Sequence, residues 1–158
     1  MRIKSITFIS LLLVLVLLPL SLRAQKKPLP PLLTTKEEVV QFFAAYSDRY
    51  IQKDVNGFLS LFSSKAIQNQ KDGLEGIRTE YTNFFDRSLT LLFRMEEMNM
   101  EIYQNAVEVK GHYQIDQVLN KGGERKMLKG NIRWVLGKEN GVLKILSLDY
   151  QNDKGVGP

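Results

Sequence analysis

The hydrophobic period of this chain changes once, near Arg87, and that change restricts the fold more than any other feature. Before it, Val39, Phe42, Phe43, Tyr46 and Tyr50 recur at three- and four-residue intervals, as one face of a helix does. After it, Val107, Val109, Tyr113 and Ile115 alternate with Glu108, Lys110, His112, Gln114 and Asp116, which describes a strand with one buried and one wet face. Helices first and strands afterwards specify an α+β domain rather than alternating βαβ units.

The helical half divides at its capping signals. Thr35 followed three residues later by Glu38 opens the first helix. Asp54 can cap a short second helix through Phe58, Leu59 and Phe62, and Asp72 with Glu75 offers a capping box for a third carrying Leu74, Ile77, Tyr81, Phe84 and Phe85. In the second half, turn signals at Gln104-Asn105, Asn120 to Gly123 and Lys138 to Gly141 separate four strands near 89–103, 106–119, 125–136 and 142–151. Phe93 and Met95 are out of phase with Met98, Met100 and Ile102, so a bulge is expected at Glu96-Glu97. Gly111 and Gly130 fall inside strands, where glycine marks a sharp bend. The expected architecture is three N-terminal helices packed in the concavity of a strongly curved antiparallel sheet, a cone-shaped α+β barrel.

Outside residues 36–152 the sequence is of other kinds. Residues 1–24 carry a charged start, an apolar run from Ile6 to Leu20 and a small residue, Ala24, and read as a signal peptide cleaved after Ala24. Residues 25–35 hold three of the five prolines and read as a linker, and residues 153–158 as a disordered tail. Periplasmic or secreted localisation is expected, with membrane contact only through an uncleaved signal. Arg2, Lys4 and Arg23 are three of the 22 basic residues, so the mature chain carries 19 against 17 acidic ones. Such a balance is unlike that of a phosphate-tracking nucleic-acid binder. With no cysteine and His112 as the lone histidine, neither a thiolate nor a multi-histidine metal site can form. No glycine-rich phosphate loop precedes a helix, and no cofactor is expected.

The aromatic first helix ending in Tyr50-Ile51-Gln52-Lys53-Asp54, the Phe58-Leu59-Ser60-Leu61-Phe62 segment and the closing run from Ile132 to Ile145 carry a resemblance. From Val39 to Gln151 the chain resembles the nuclear transport factor 2-like superfamily, the cone fold of ketosteroid isomerase and the SnoaL-like proteins, and in particular its versions in exported bacterial proteins. The resemblance implies a cavity between the concave sheet and the first and third helices. Tyr46, Tyr50, Tyr81, Tyr113 and Trp134 are then the side chains placed to reach it, either lining a site for a small amphipathic ligand or filling the space. Asp149 is an acid/base candidate only if it faces inward, which requires that no bulge intervene in the last strand. Apolar residues on both sides of that strand, Leu143 and Ile145 against Leu146, Leu148 and Tyr150, suggest a covering partner and hence a homodimer. Three functions follow from this reading: an exported non-catalytic domain binding a small ligand or a cell-envelope or protein partner, a small cofactor-free isomerase or lyase, and a structural dimerisation module.

Overall fold

The computed structural model describes residues 30–153. The signal peptide, the first five linker residues and residues 154–158 lie outside the described residues. Helix α1 spans Lys36–Gln52, with Thr35 accepting a hydrogen bond from the Glu38 amide and Glu37 and Glu38 in the first turn, where the helix dipole favours them. The Glu38 carboxylate reaches Thr34 rather than closing a reciprocal box with Thr35. Lys53, in the left-handed region at φ 58°, ends the helix. Asp54 caps α2 (Val55–Leu59) through the Gly57 amide, and Arg49 ties α1 to it by donating to Gly57 O and Ser60 Oγ at 2.8 and 2.9 Å. Helix α3 (Leu74–Asp86) starts at Gly73 without a side-chain cap, so the capping box expected at Asp72 does not form.

Four long strands follow: β2 (Ser88–Ile102), β3 (Val107–Leu119), β4 (Arg125–Glu139) and β5 (Val142–Asn152). A fifth, β1 (Phe62–Gln68), precedes α3 and pairs in parallel with β5, so the sheet is mixed rather than antiparallel throughout. Phe62 therefore belongs to a strand and not to the second helix. The order β1-β5-β4-β3-β2 leaves β1 and β2 as edges. The curved sheet wraps its helices without closing into a barrel.

Two bulges set which residues face the core. In β2 the register slips between Glu96 and Asn99, with Glu97 at φ 52°, as the phase change there required. This keeps Phe93, Met95, Met100 and Ile102 on the helix side, while Met98 is exposed. In β5 Val135 and Leu136 face Ser147 and Ile145, leaving Leu146 as the extra residue. Leu143 and Ile145 before it, and Leu148 and Tyr150 after it, thus turn to the same face. The apolar residues on both sides of β5 are one buried face interrupted by a bulge, and of the outer set only Leu146 is exposed.

The glycines in the strands serve close approach. A Cβ on Gly130 would lie 2.1 Å from Gln151 O, and one on Gly111 would lie 2.5 Å from Met95 Cε. Asn140 and Gly141 both take positive φ in the β4–β5 hairpin. The core is aromatic. Tyr46 packs within 4.9–6.3 Å, ring centroid to centroid, of Phe43, Tyr50, Phe58, Phe93 and Trp134. At the opposite end from the β3–β4 turn, Leu33 N donates to Tyr103 O and Thr34 is buried, so the chain is fastened to the sheet three residues before α1.

Candidate functional site

Where β3 ends and β4 begins, the sheet and the helices line a half-open cavity of about 230 Å³. Tyr46 and Tyr50 of α1, Tyr81 and Phe84 of α3, and Phe93 and Tyr113 of the sheet supply its aromatic walls, with Ile115 and Leu128 adding aliphatic surface. The helical period of α1 explains the first pair, since Tyr46 and Tyr50 are four residues apart and share a face. Tyr113 arrives from β3 because the alternation places it on the helix side with Val109 and Ile115. Burial pushes the Tyr46, Tyr50 and Tyr81 hydroxyls well above the ordinary phenol range, so all three stay protonated through neutral pH. Tyr113 is raised to about 12, by burial first and then by the Asp153 charge.

Four of the five aromatic residues read from the sequence therefore meet at the cavity, and Trp134 does not. It lies opposite Val109 and Leu148, fully buried, its ring 4.9 Å from Phe43 and 5.6 Å from Tyr46, and its Nε1 has no hydrogen-bond partner among the described residues. Asp149 is on the other face of the sheet, turned there by the bulge at Leu146. Its Oδ2 accepts from Arg133 Nη1 at 3.3 Å and from Ser147 Oγ at 3.2 Å. It lines a wider open depression with Lys110, His112, Asn131 and Arg133. There Arg133 also bonds Glu108, and its guanidinium beside Glu108 holds that carboxyl below its usual range. The charges of this outer surface thus neutralise one another, and the aromatic cavity is the stronger candidate.

The sequence reading missed the polar groups at the cavity rim. Glu80 comes from α3, Arg87 directly follows that helix, and Tyr150 and Asn152 lie at the end of β5. Tyr150 Oη donates to Glu80 Oε1, Tyr113 Oη donates to Asn152 Oδ1, and Gln68 Nε2 donates to Glu80 Oε2 at 2.6 Å. The Tyr150 hydroxyl is pushed up by burial and by its bond to Glu80. One signal was available: Glu80 precedes Tyr81 on α3, so a residue beside a cavity-facing tyrosine can sit at its edge.

Among solved structures, the chain is similar to a nuclear transport factor 2-like superfamily protein from Salmonella enterica at 18% identity and a TM-score of 0.66, covering 77% of this chain and 94% of that one. It is also similar to ActVI-ORFA from Streptomyces coelicolor, at 13% identity and 0.61 over 75% and 95% of the two chains. A third similar structure is a candidate scytalone dehydratase from Novosphingobium aromaticivorans, at 10% identity and 0.68 over 74% and 83%. The fold is the nuclear transport factor 2-like cone. No family model and no curated protein matches the sequence. In this cone the cavity lies between the concave sheet and α1 and α3, as the resemblance implied. Its neutral phenols can hydrogen-bond a ligand, its rings can cover apolar area, and its rim holds one carboxylate and one guanidinium.

Proposed function

We propose that this chain is an exported, non-catalytic domain that holds a small amphipathic ligand in its cone cavity. One observation carries the reading: a half-open aromatic cavity whose charged groups, Glu80 and Arg87, lie at its rim. That distribution suits a molecule with an apolar body and a polar end. At about 230 Å³ it is smaller than the ~300–1,000 Å³ of sites for drug-sized molecules, so the ligand has one or two rings. Cleavage after Ala24 and release to the periplasm or medium belong to the same proposal, on the strength of the charged, apolar and small segments of residues 1–24.

A second reading, a cofactor-free isomerase or lyase, is favoured by the Glu80–Tyr150 hydrogen bond. A carboxylate and a phenol at one cavity are the pair that proton transfer needs. The carboxylate for that chemistry is Glu80 and not Asp149. Pairing of two copies through the outer face of the sheet is also proposed, where exposed Leu92 and Met127 flank Asp116.

Native mass spectrometry of the protein purified from its own host tests the proposal. The expected spectrum shows a chain beginning at Gln25 with a small non-covalent adduct, lost when Leu128→Trp fills the cavity. An adduct-free wild-type protein, or an adduct retained by the filled variant, contradicts ligand binding in the cone.

A further inference from the structure

We infer that the cavity selects a small organic cation, an amine-bearing molecule of one or two rings whose ammonium group sits against Glu80. This rests on the reading that the cone holds a ligand and adds the ligand's chemistry. The walls are largely π faces, and the face of an aromatic ring attracts a cation through its quadrupole. The rim already shows this attraction, because the Arg87 guanidinium lies 5.2 Å from the centre of the Phe84 ring.

The hydrogen bonds at the rim point the same way. Tyr150 has committed its hydroxyl proton to Glu80 and Tyr113 its own to Asn152. What both tyrosines can still offer a ligand is oxygen lone pairs. On its Glu80 side the rim therefore offers acceptors, the carboxylate and two phenol oxygens, and suits a group that donates, while Arg87 and Asn152 Nδ2 are its donors.

Glu80 supplies the charge. Several carboxylates of the domain sit beside basic partners, Glu108 and Asp149 beside Arg133, Asp116 beside Arg94 and Glu38 beside Lys138, whereas Glu101, Glu139 and Glu80 hydrogen-bond neutral groups, and of these only Glu80 lines the cavity. The two partners of Glu80, Gln68 and Tyr150, are both neutral. Gln68 is itself fully buried, and its Oε1 has no partner among the described residues. A buried amide left half-satisfied is costly, yet here its other half fixes an exposed carboxylate at the cavity edge. Holding a charged group in one orientation from behind is what a binding anchor requires.

Isothermal titration calorimetry with three probes that share a benzyl body tests the inference: 2-phenylethylammonium, 2-phenylethanol and phenylacetate. The ammonium is expected to bind about tenfold tighter than the alcohol, with the carboxylate weakest. Glu80→Gln should bring the ammonium down to the affinity that the alcohol has for the same variant. The wild-type comparison decides the matter even if that variant folds poorly. Alcohol binding as tight as ammonium binding overturns the inference and leaves the ligand cavity standing. Phenylacetate binding tightest overturns it too and assigns the rim to Arg87. A preference for ammonium that survives Glu80→Gln removes the anchor, and failure of all three probes to bind overturns both the inference and the cavity reading.

Discussion

Deleting Leu146 tests whether the bulge in β5 is a one-residue insertion in an otherwise regular strand. Ile145 and Ser147 already face Leu136 and Val135, adjacent residues of β4, so with Leu146 gone the strand alternates without interruption. Leu143, Ile145, Leu148 and Tyr150 stay on the buried face and Asp149 stays beside Arg133. Only a partly exposed side chain is lost, so the deletion is expected to cost within about 1 kcal/mol of Leu146→Ala. Deleting Leu146 and Ser147 together brings Leu148 directly after Ile145, and one half of β5 must then turn over relative to β4. Turning the half before the deletion is cheaper because turning the other buries Asp149, and exposing Leu143 and Ile145 at about 1.5–3 kcal/mol each costs about 3–6 kcal/mol. That is a large part of the ~5–15 kcal/mol that stabilises a domain of this size. Urea unfolding followed by circular dichroism measures both variants. A single deletion as costly as the double one refutes the reading that Leu146 is the extra residue.

Gly130→Ala is expected to destabilise by about 1–3 kcal/mol, because its Cβ would press on the Gln151 carbonyl of the neighbouring strand; an unchanged urea midpoint contradicts this. Asp149→Asn should change stability by less than about 1 kcal/mol and leave ligand affinity unaltered, since the side chain is on the far face of the sheet; a loss of binding by calorimetry would return Asp149 to the site. Stability should fall as pH rises above about 10, where unfolded tyrosines lose protons that the folded chain keeps on Tyr46, Tyr50, Tyr81 and, up to about 12, Tyr113. The stabilisation from these raised values is complete below the unfolded value and fades above it, and a urea midpoint unchanged from about pH 9 to about pH 11 contradicts the burial of the rings.

What could be read from the sequence was what the chain specifies locally. The aromatic face of α1, the Asp54 cap, the Glu96-Glu97 bulge and the Asn140-Gly141 turn each depend on residues a few positions apart, and each is present. The fifth strand was not legible, because Phe62-Ser-Ser-Lys-Ala-Ile-Gln becomes a strand only by pairing with β5 some eighty residues later. The Leu146 bulge was equally hidden, since either phase of β5 is apolar on its own and only the partner strand chooses. Tyr46, Tyr50, Tyr81 and Tyr113 could be placed at the cavity from their period and the resemblance. Glu80 could not, because its setting is made by Gln68, twelve residues before it, and Tyr150, seventy after it. Trp134 illustrates the converse, a residue on the expected face that lies too deep along β4 to reach the opening.

The central claim is that the rings of the cone enclose a ligand rather than fill the space themselves. A high-resolution crystal structure of the protein purified from its own host tests this most directly. The expected map shows non-protein density among Tyr81, Phe93, Tyr113 and Leu128, with its polar end within hydrogen-bond distance of Glu80. A map in which these side chains close on one another, leaving no more room than the ~30 Å³ of one water molecule, contradicts it.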